Sequence, residues 1–514
     1  MTKVKFILFL LLVIAIPIII YLYFLPWKTT TMYGDDLYIY KTHAALHGFS
    51  EKINIPGLFQ KYRPLHGLSM HFLNETLKKN LDGYYCFNIA IQVINTFLFA
   101  LILNLFLKSP PLSLIFSLSL GLSRFSYFNI TQLYNGGALE GLAITFFLIF
   151  LFYLTRSIAF NNDSPRKQSD ILKAVLFANL SMYTHERYIV LLPFVVLLLL
   201  FYPGLKVINW KRKVILSLIA IASIGLNVLV KTQVYNMPFF VGTGGTNIDL
   251  SSSSPVSFFN NALLSIIGIN KGPEYLSGIK FSGLPFVDKT VVIVLLTGCF
   301  TIFFLYFRQL KKTSQIWLLP FLGMLFVALL IPAVITIRLE QRWLQASYSL
   351  FMFSLIIAFS HISFKNVLSR SLVLLSITAL LLWCDFNYLN NGAANIYLTS
   401  SEAMADKFQE AIDKKVIRSE TKNLYIWEKQ QDINVENEIK WVLAEGYFFN
   451  YYKQQGKNLF FEDSIYQKTL PHSSTFIKFN KTTDQIIYMD TGVVDITNDY
   501  LQDSLKAFNI KIDR

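Results

Sequence analysis

A series of long apolar runs constrains this chain more than any other feature. In hydrocarbon every backbone N–H and C=O has to be bonded inside the protein, so about 20 apolar residues in a row fold as a helix that crosses a bilayer. Eleven such spans are expected, near residues 4–25, 84–107, 112–127, 138–154, 171–183, 188–201, 214–230, 290–307, 316–336, 344–359 and 371–386. Composition agrees: 54% of the 514 residues are hydrophobic and 15% are charged, against about 25% charged in soluble proteins. Lysine or arginine stands in every second turn, at Lys108, Arg156, Lys206, Arg308 and Lys365 among others. Such turns are cytoplasmic by the positive-inside rule, which puts the N-terminus inside and the C-terminus outside. The formal charge of +14 is accounted for by these turns, so nucleic acid is not an expected partner. No small-residue cleavage site follows the first run, which reads as an uncleaved anchor. Cys86, Cys299 and Cys384 show neither metal-ligand spacing nor a disulfide framework.

The expected fold class is an all-α polytopic membrane protein with a small extracytoplasmic α/β domain at its C-terminus. Residues 1–390 form the membrane domain, with outer loops at 27–82 and 231–287, and residues 391–514 form the soluble one. Strands are expected over 423–427, 475–479 and 485–489, and helices over 402–416 and 435–452. In the first outer loop, Pro64 is placed to open an amphipathic helix over 65–79, because its missing N–H costs nothing in a first turn.

This topology gathers ionisable groups on one side of the membrane. Asp35, Asp36 and Arg63 lie in the first outer loop. His185, Glu186 and Arg187 follow the fifth span, and Arg338, Glu340 and Arg342 follow the ninth. Charges at the edge of spans are costly and tend to mark function. Asp35-Asp36 is either a helix cap or a general base, with the second carboxylate tuning the first or holding a cation. Arg63 is either a lipid-headgroup anchor or a phosphate clamp, since its fork makes paired hydrogen bonds that lysine cannot make. His185-Glu186-Arg187 is either a self-paired turn or a contact to acceptor and phosphate. Arg338, Glu340 and Arg342 beside Trp343 suit an interfacial anchor or a leaving phosphate. His43 and His47, at i and i+4, could share a metal on a helix, but no third ligand stands at motif spacing. Asn88, Gln92 and Asn95 share one face of the second span and should bond neighbouring helices.

At these residues the chain resembles the GT-C membrane glycosyltransferases, which include the protein O-mannosyltransferases and the aminoarabinose transferases. The motifs are Asp35-Asp36, then Arg63-Pro64-Leu65, then His185-Glu186, then Glu340-Gln341-Arg342-Trp343-Leu344, over residues 1 to about 390. Two positions depart from the pattern: histidine replaces the lysine of a Lys-Glu turn, and Gln341 splits a Glu-Arg pair. The resemblance implies an enzyme of the bacterial inner membrane that takes a sugar from a polyprenyl-phosphate carrier. The acceptor would be a cell-envelope glycan, a lipid or a protein. Asp35 or Asp36 would be the acid/base, and a divalent cation (Mg or Mn) could sit at the pair. Two other readings remain open: a surface-polysaccharide polymerase or ligase, and a flippase for lipid-linked sugars. The latter would favour charges at the bilayer midplane and internal repeats, neither of which is seen.

Overall fold

The protein is represented by a computed structural model that describes residues 3–49, 51, 61–160, 164–206, 208–238, 254–266, 283, 285–309, 317–335, 340–364, 366–392, 397–428, 433–452, 454–461, 480, 482–490 and 492–498. In chain order, the first helices are α1 (Lys3–Phe24), α2 (Gly34–Ala45), α3 (Pro64–Leu77), α4 (Leu81–Leu107), α5 (Pro110–Gly121), α6 (Tyr127–Thr131), α7 (Leu142–Thr155) and α8 (Ser164–Thr184). There follow α9 (Leu191–Phe201), α10 (Trp210–Leu229), α11 (Ser254–Ile266), α12 (Phe286–Gln309), α13 (Leu318–Ile335), α14 (Gln345–Ser360), α15 (Val367–Gly392) and α16 (Tyr397–Asp413). The rest is β1 (Asn423–Glu428), α17 (Ile433–Val442), α18 (Tyr447–Tyr451), β2 (Asn458–Phe461), β3 (Asp484–Met489) and β4 (Val493–Asp495).

The chain divides into two compact units, one of residues 1–28 and 46–395, the other of residues 29–45 and 396–514. In the first unit the protein interior is built from aromatic and aliphatic side chains of α4, α5, α7, α8, α9, α13 and α14, such as Phe99, Phe147, Leu192 and Phe353. Large apolar side chains on the other faces of α1, α10 and α12, Phe300 for one, stay exposed. That pattern suits helices whose solvent is lipid rather than water.

Each of the eleven expected spans coincides with a helix, but only seven helical segments among the described residues are long and apolar enough to cross a membrane. These are Phe6–Trp27, Leu81–Leu107, Gly136–Phe160, Trp210–Val234, Phe286–Gln309, Gln341–Ser360 and Val367–Asn390. The other four fall short for identifiable reasons. The third expected span forms a helix of 12 residues and the sixth one of 11. The fifth lies in α8, whose first turns carry Arg166, Lys167, Asp170 and Lys173. The ninth is α13, of which Leu318–Pro332 is the apolar stretch among the described residues. Asn88, Gln92 and Asn95 bond across helices as expected. Asn88 Nδ2 donates to the carbonyls of Ile130 and Gln132, Gln92 Nε2 to Ser126 Oγ, and Asn95 Nδ2 to the Gly141 carbonyl.

The second unit holds a four-stranded sheet in the order β2-β1-β3-β4. β1 runs parallel to β2 and β3, with Leu424 opposite Leu459 and Gln485, while β4 is antiparallel to β3. The expected strand at 475–479 lies outside the described residues. The helix expected over 435–452 is two helices, because Ala444, Glu445 and Gly446 turn the chain at φ +43°, +54° and +93°. A Cβ on Gly446 would meet the Lys457 carbonyl oxygen at 1.8 Å, so only glycine fits.

Candidate functional site

The first unit assembles a buried cluster of alternating charge from four separate stretches. Arg63 precedes Pro64, which keeps it out of the helical region, at φ −136° and ψ +66°, just before α3. Its guanidinium grips one carboxylate with two nitrogens: Nη2 donates to Glu186 Oε1 at 2.9 Å and Nε donates to Glu186 Oε2. Lys61 Nζ stands 3.5 Å from the same Oε1. Glu186 therefore pairs with Arg63 and Lys61 rather than with Arg187, its neighbour in the expected self-paired turn.

His185 caps a short 3₁₀ turn, Glu186–Val190, its Nδ1 accepting from the Arg187 amide at 3.3 Å. Its Nε2 lies 2.9 Å from Arg187 Nη2 and 3.5 Å from Glu140 Oε1. Burial, then the neighbouring Arg187 and Arg63, hold the His185 ring well below the usual histidine range, so it is neutral. For Glu186, burial pushes the carboxyl up, but Arg63 and Lys61 outweigh it and leave the group well below the ordinary carboxylate value. Lys61 is pushed down to about 8 by burial, against the pull of Glu186.

The third stretch supplies Glu140, 1% exposed, on a π-helical turn, Gly136–Gly141. Such a bulge re-aims one side chain within a helix and is frequent at functional sites. The turn is pinned by Asn88 Oδ1, which accepts from the Gly137 amide at 3.0 Å. The approach is close enough that a Cβ on Gly137 would come within 2.2 Å of that oxygen. Glu140 Oε1 accepts from Arg187 Nη2 at 2.8 Å and lies 3.6 Å from Arg342 Nε.

Glu340 and Arg342, on the fourth stretch, form an ion pair at the start of the 3₁₀ turn Gln341–Leu344. The Arg342 guanidinium lies 3.6 Å from the Phe128 ring centroid, and that of Arg187 4.9 Å from the Trp343 ring. Flat guanidiniums over aromatic faces are held with little side-chain freedom left.

Four cations (Lys61, Arg63, Arg187, Arg342) thus meet three carboxylates (Glu140, Glu186, Glu340) around a neutral histidine. Lys231, in electrostatic reach of Glu186 and Arg63, adds a fifth cation. The described residues carry a surplus of positive charge in a largely desolvated place, which is what a phosphate needs. Sequence reasoning singled out Arg63, His185, Glu186, Arg187, Glu340 and Arg342, and the structure brings them together. Arg338 lies outside the described residues. Glu140, Lys61 and Lys231 were missed. A lone carboxylate inside an apolar run is the signal that would have found Glu140.

Asp35 and Asp36 belong to the second unit and occupy the first turn of α2, where a helix favours carboxylates by about 0.3–1 kcal/mol. The cap reading accounts for part of their presence. Asp35 Oδ1 accepts the Trp441 indole N–H at 2.8 Å, and Asp36 is 3% exposed. Gly34 sits at φ +53°, and a Cβ there would meet the Trp441 ring at 2.5 Å. Tyr33 packs edge-on to the same ring with centroids 6.0 Å apart. Carboxylate oxygens suit Mg or Mn. Mg takes six ligands, of which this pair offers at most four oxygens, one already holding an indole N–H. The rest of any cation shell would come from water or phosphate. The helical i, i+4 pairing that would let His43 and His47 share a metal is absent, because α2 ends at Ala45, short of His47.

Neither a protein-family profile nor a curated protein sequence matches the chain. Among solved structures it is similar to ArnT from Cupriavidus metallidurans bound to undecaprenyl phosphate. Identity is 10% and TM-score 0.50, over 97% of this chain and 94% of that one. The apo-state structure of the same protein aligns over the same shares at 10% identity and TM-score 0.48. The first of these likenesses shows that the chain has an ArnT-like fold.

Proposed function

We propose that the protein is a membrane glycosyltransferase that moves a sugar from a polyprenyl-phosphate carrier to an acceptor outside the cytoplasm. The observation that carries this reading is the buried cluster of Arg63, Arg187 and Arg342 with Glu140, Glu186 and Glu340, set in an ArnT-like fold. ArnT was crystallised with undecaprenyl phosphate, and the surplus of cations here suits the same chemical group.

In the proposed step an acceptor hydroxyl attacks the anomeric carbon while its proton passes to Asp35 or Asp36. The bond from that carbon to the phosphate oxygen breaks, and polyprenyl phosphate leaves with the electron pair and one more negative charge. Lys61, Arg63, Arg187 and Arg342 balance that charge, and Glu140, Glu186 and Glu340 keep the guanidiniums oriented. A hydrophobic carrier holds its phosphate at a fixed depth, because its chain stays in the hydrocarbon. The N-terminus lies inside and the acceptor arrives from the outer face of the bacterial inner membrane.

The test is an assay of the purified full-length protein with radiolabelled polyprenyl-phosphate sugars, with and without envelope glycan, lipid or protein acceptors. Acceptor-dependent transfer and release of polyprenyl phosphate is the expected result. Reconstituted vesicles that translocate the labelled donor without transferring its sugar would overturn the reading in favour of a flippase.

A further inference from the structure

A second basic site lies at the start of α10, formed by none of the residues of the charged cluster. A cavity of about 670 Å³ is lined by Lys206, Arg212 and Lys213 together with Asn209, Trp210 and Gln168, a volume within the roughly 300–1,000 Å³ usual for ligand pockets. Its walls come from two helices, since Gln168 belongs to α8, and no carboxylate lines it. Among the described residues none of the three cations has an ion-pair partner. The nearby Asp170 is paired with Arg156 at 3.5 Å.

Lys213 is the telling member. It is 7% exposed, lines the cavity, and makes no side-chain hydrogen bond or ion pair among the described residues. The charged group that acts on it is the like-charged Lys206. Cations gathered at one cavity without a counter-charge repel one another, and an anion in the space relieves that repulsion. The amides of Lys211, Arg212 and Lys213 are already capped by Asn209 at 3.0, 3.0 and 3.1 Å. Recognition therefore falls to the three side chains, helped by the positive end of a 20-residue helix. Trp210 is largely exposed beside them, as tryptophans at the headgroup level of a bilayer are.

We infer that this cavity binds a phosphate ester, the headgroup of an anionic phospholipid, through Lys206, Arg212 and Lys213. Basic pockets between helices near the cytoplasmic surface are suited to such headgroups, and this turn is the one the positive-inside pattern assigns to that surface.

Native mass spectrometry of the full-length protein tests it, with dioleoyl phosphatidylglycerol, dioleoyl phosphatidylcholine and inorganic phosphate as probes. One phosphatidylglycerol should be held in preference to phosphatidylcholine. Lys206→Gln/Arg212→Gln, both exposed positions, should weaken retention by about tenfold or more, and Lys213→Met should do the same in a protein that still folds. Arg308→Gln, a surface cation elsewhere, should change nothing. Retention of the lipid in millimolar inorganic phosphate assigns the site to a headgroup, and displacement assigns it to free phosphate; both support a phosphate site. Equal binding of the two lipids, retention unchanged in the pocket variants, or an equal loss in Arg308→Gln would each overturn it.

Discussion

Arg63 and Glu186 lie 123 residues apart in the chain and share a two-pronged ion pair, Nη2 on Oε1 at 2.9 Å and Nε on Oε2. The fork that could clamp a phosphate is thus already aligned by a carboxylate. Arg63 has a third nitrogen to offer, and Glu186 sets the plane in which it is offered.

Replacing Arg63 by lysine keeps one charge and loses the plane. Transfer should fall by about tenfold or more, and the fold should persist, because an ammonium can still pair with Glu186. A double-mutant cycle with Glu186→Gln should show strong coupling, since the second change removes what orients the first. Additive losses would mean that the two residues act independently. Wild-type turnover in Arg63→Lys would reduce Arg63 to a headgroup anchor.

Asp35→Asn and Asp36→Asn separate the base from its neighbour. The variant that removes the base should lose about 10²–10⁴-fold in rate with expression and donor binding little changed. If the pair holds a divalent cation, both variants fail and a chelator imitates them. Normal transfer in both would remove α2 from the chemistry.

Gly34→Ala tests the setting of that pair without touching a carboxylate. The residue stands at φ +53° and its new Cβ would press on Trp441. Strain and clash together should cost a few kcal/mol and displace the indole from Asp35. A lower melting temperature with lower activity, measured well below the melting point, is the expected outcome; wild-type activity in the folded variant would show that the setting of the carboxylates does not matter. Trp441→Phe isolates the lost N–H from the lost packing.

Lys61 gives a prediction for alkaline pH. Its amine titrates at about 8, so the protonated form is lost as pH rises through that value. If its charge serves the leaving phosphate, the rate should decline above about pH 8 and Lys61→Arg should extend the plateau. A flat profile to pH 9.5 in the wild type would show that the charge is not used.

Stability at acid pH follows from two histidines. His66 is held down to about 3 by burial and the Arg63 charge, and His185 well below its usual range by burial with Arg187 and Arg63. The unfolded chain protonates both near pH 6.5, so it binds more protons than the folded one below that point. Stability should be complete above about pH 6.5 and fall as pH drops, steepening toward about 1.4 kcal/mol per pH unit for each ring. Glu186, whose carboxyl is held low in the fold, adds a further loss once pH falls below its unfolded value near 4.3. Melting temperatures from pH 8 to 5 check this, and His66→Gln should reduce the slope. Identical melting points across the range would contradict the burial of neutral rings.

The sequence by itself determined which segments are helical and apolar, and where Pro64 opens α3. Those properties are local: they depend on runs, on turn residues and on the cost of charge in hydrocarbon. It also pointed to the buried polar row of α4, since Asn88, Gln92 and Asn95 repeat at helical spacing. The pairing of charges was decided only by the tertiary structure. Glu186 stands next to Arg187 in the chain, yet bonds Arg63, while Arg187 reaches Glu140. Neighbours in a turn point in different directions, and each cation takes the carboxylate that packing delivers. Membership of the second unit was likewise invisible for Asp35, because its partner Trp441 lies 406 residues away. The lengths of the individual helices were also left open by the apolar pattern. A run can be hydrophobic enough for a membrane and still fold into 11 or 12 helical residues when prolines and charged turns end it early.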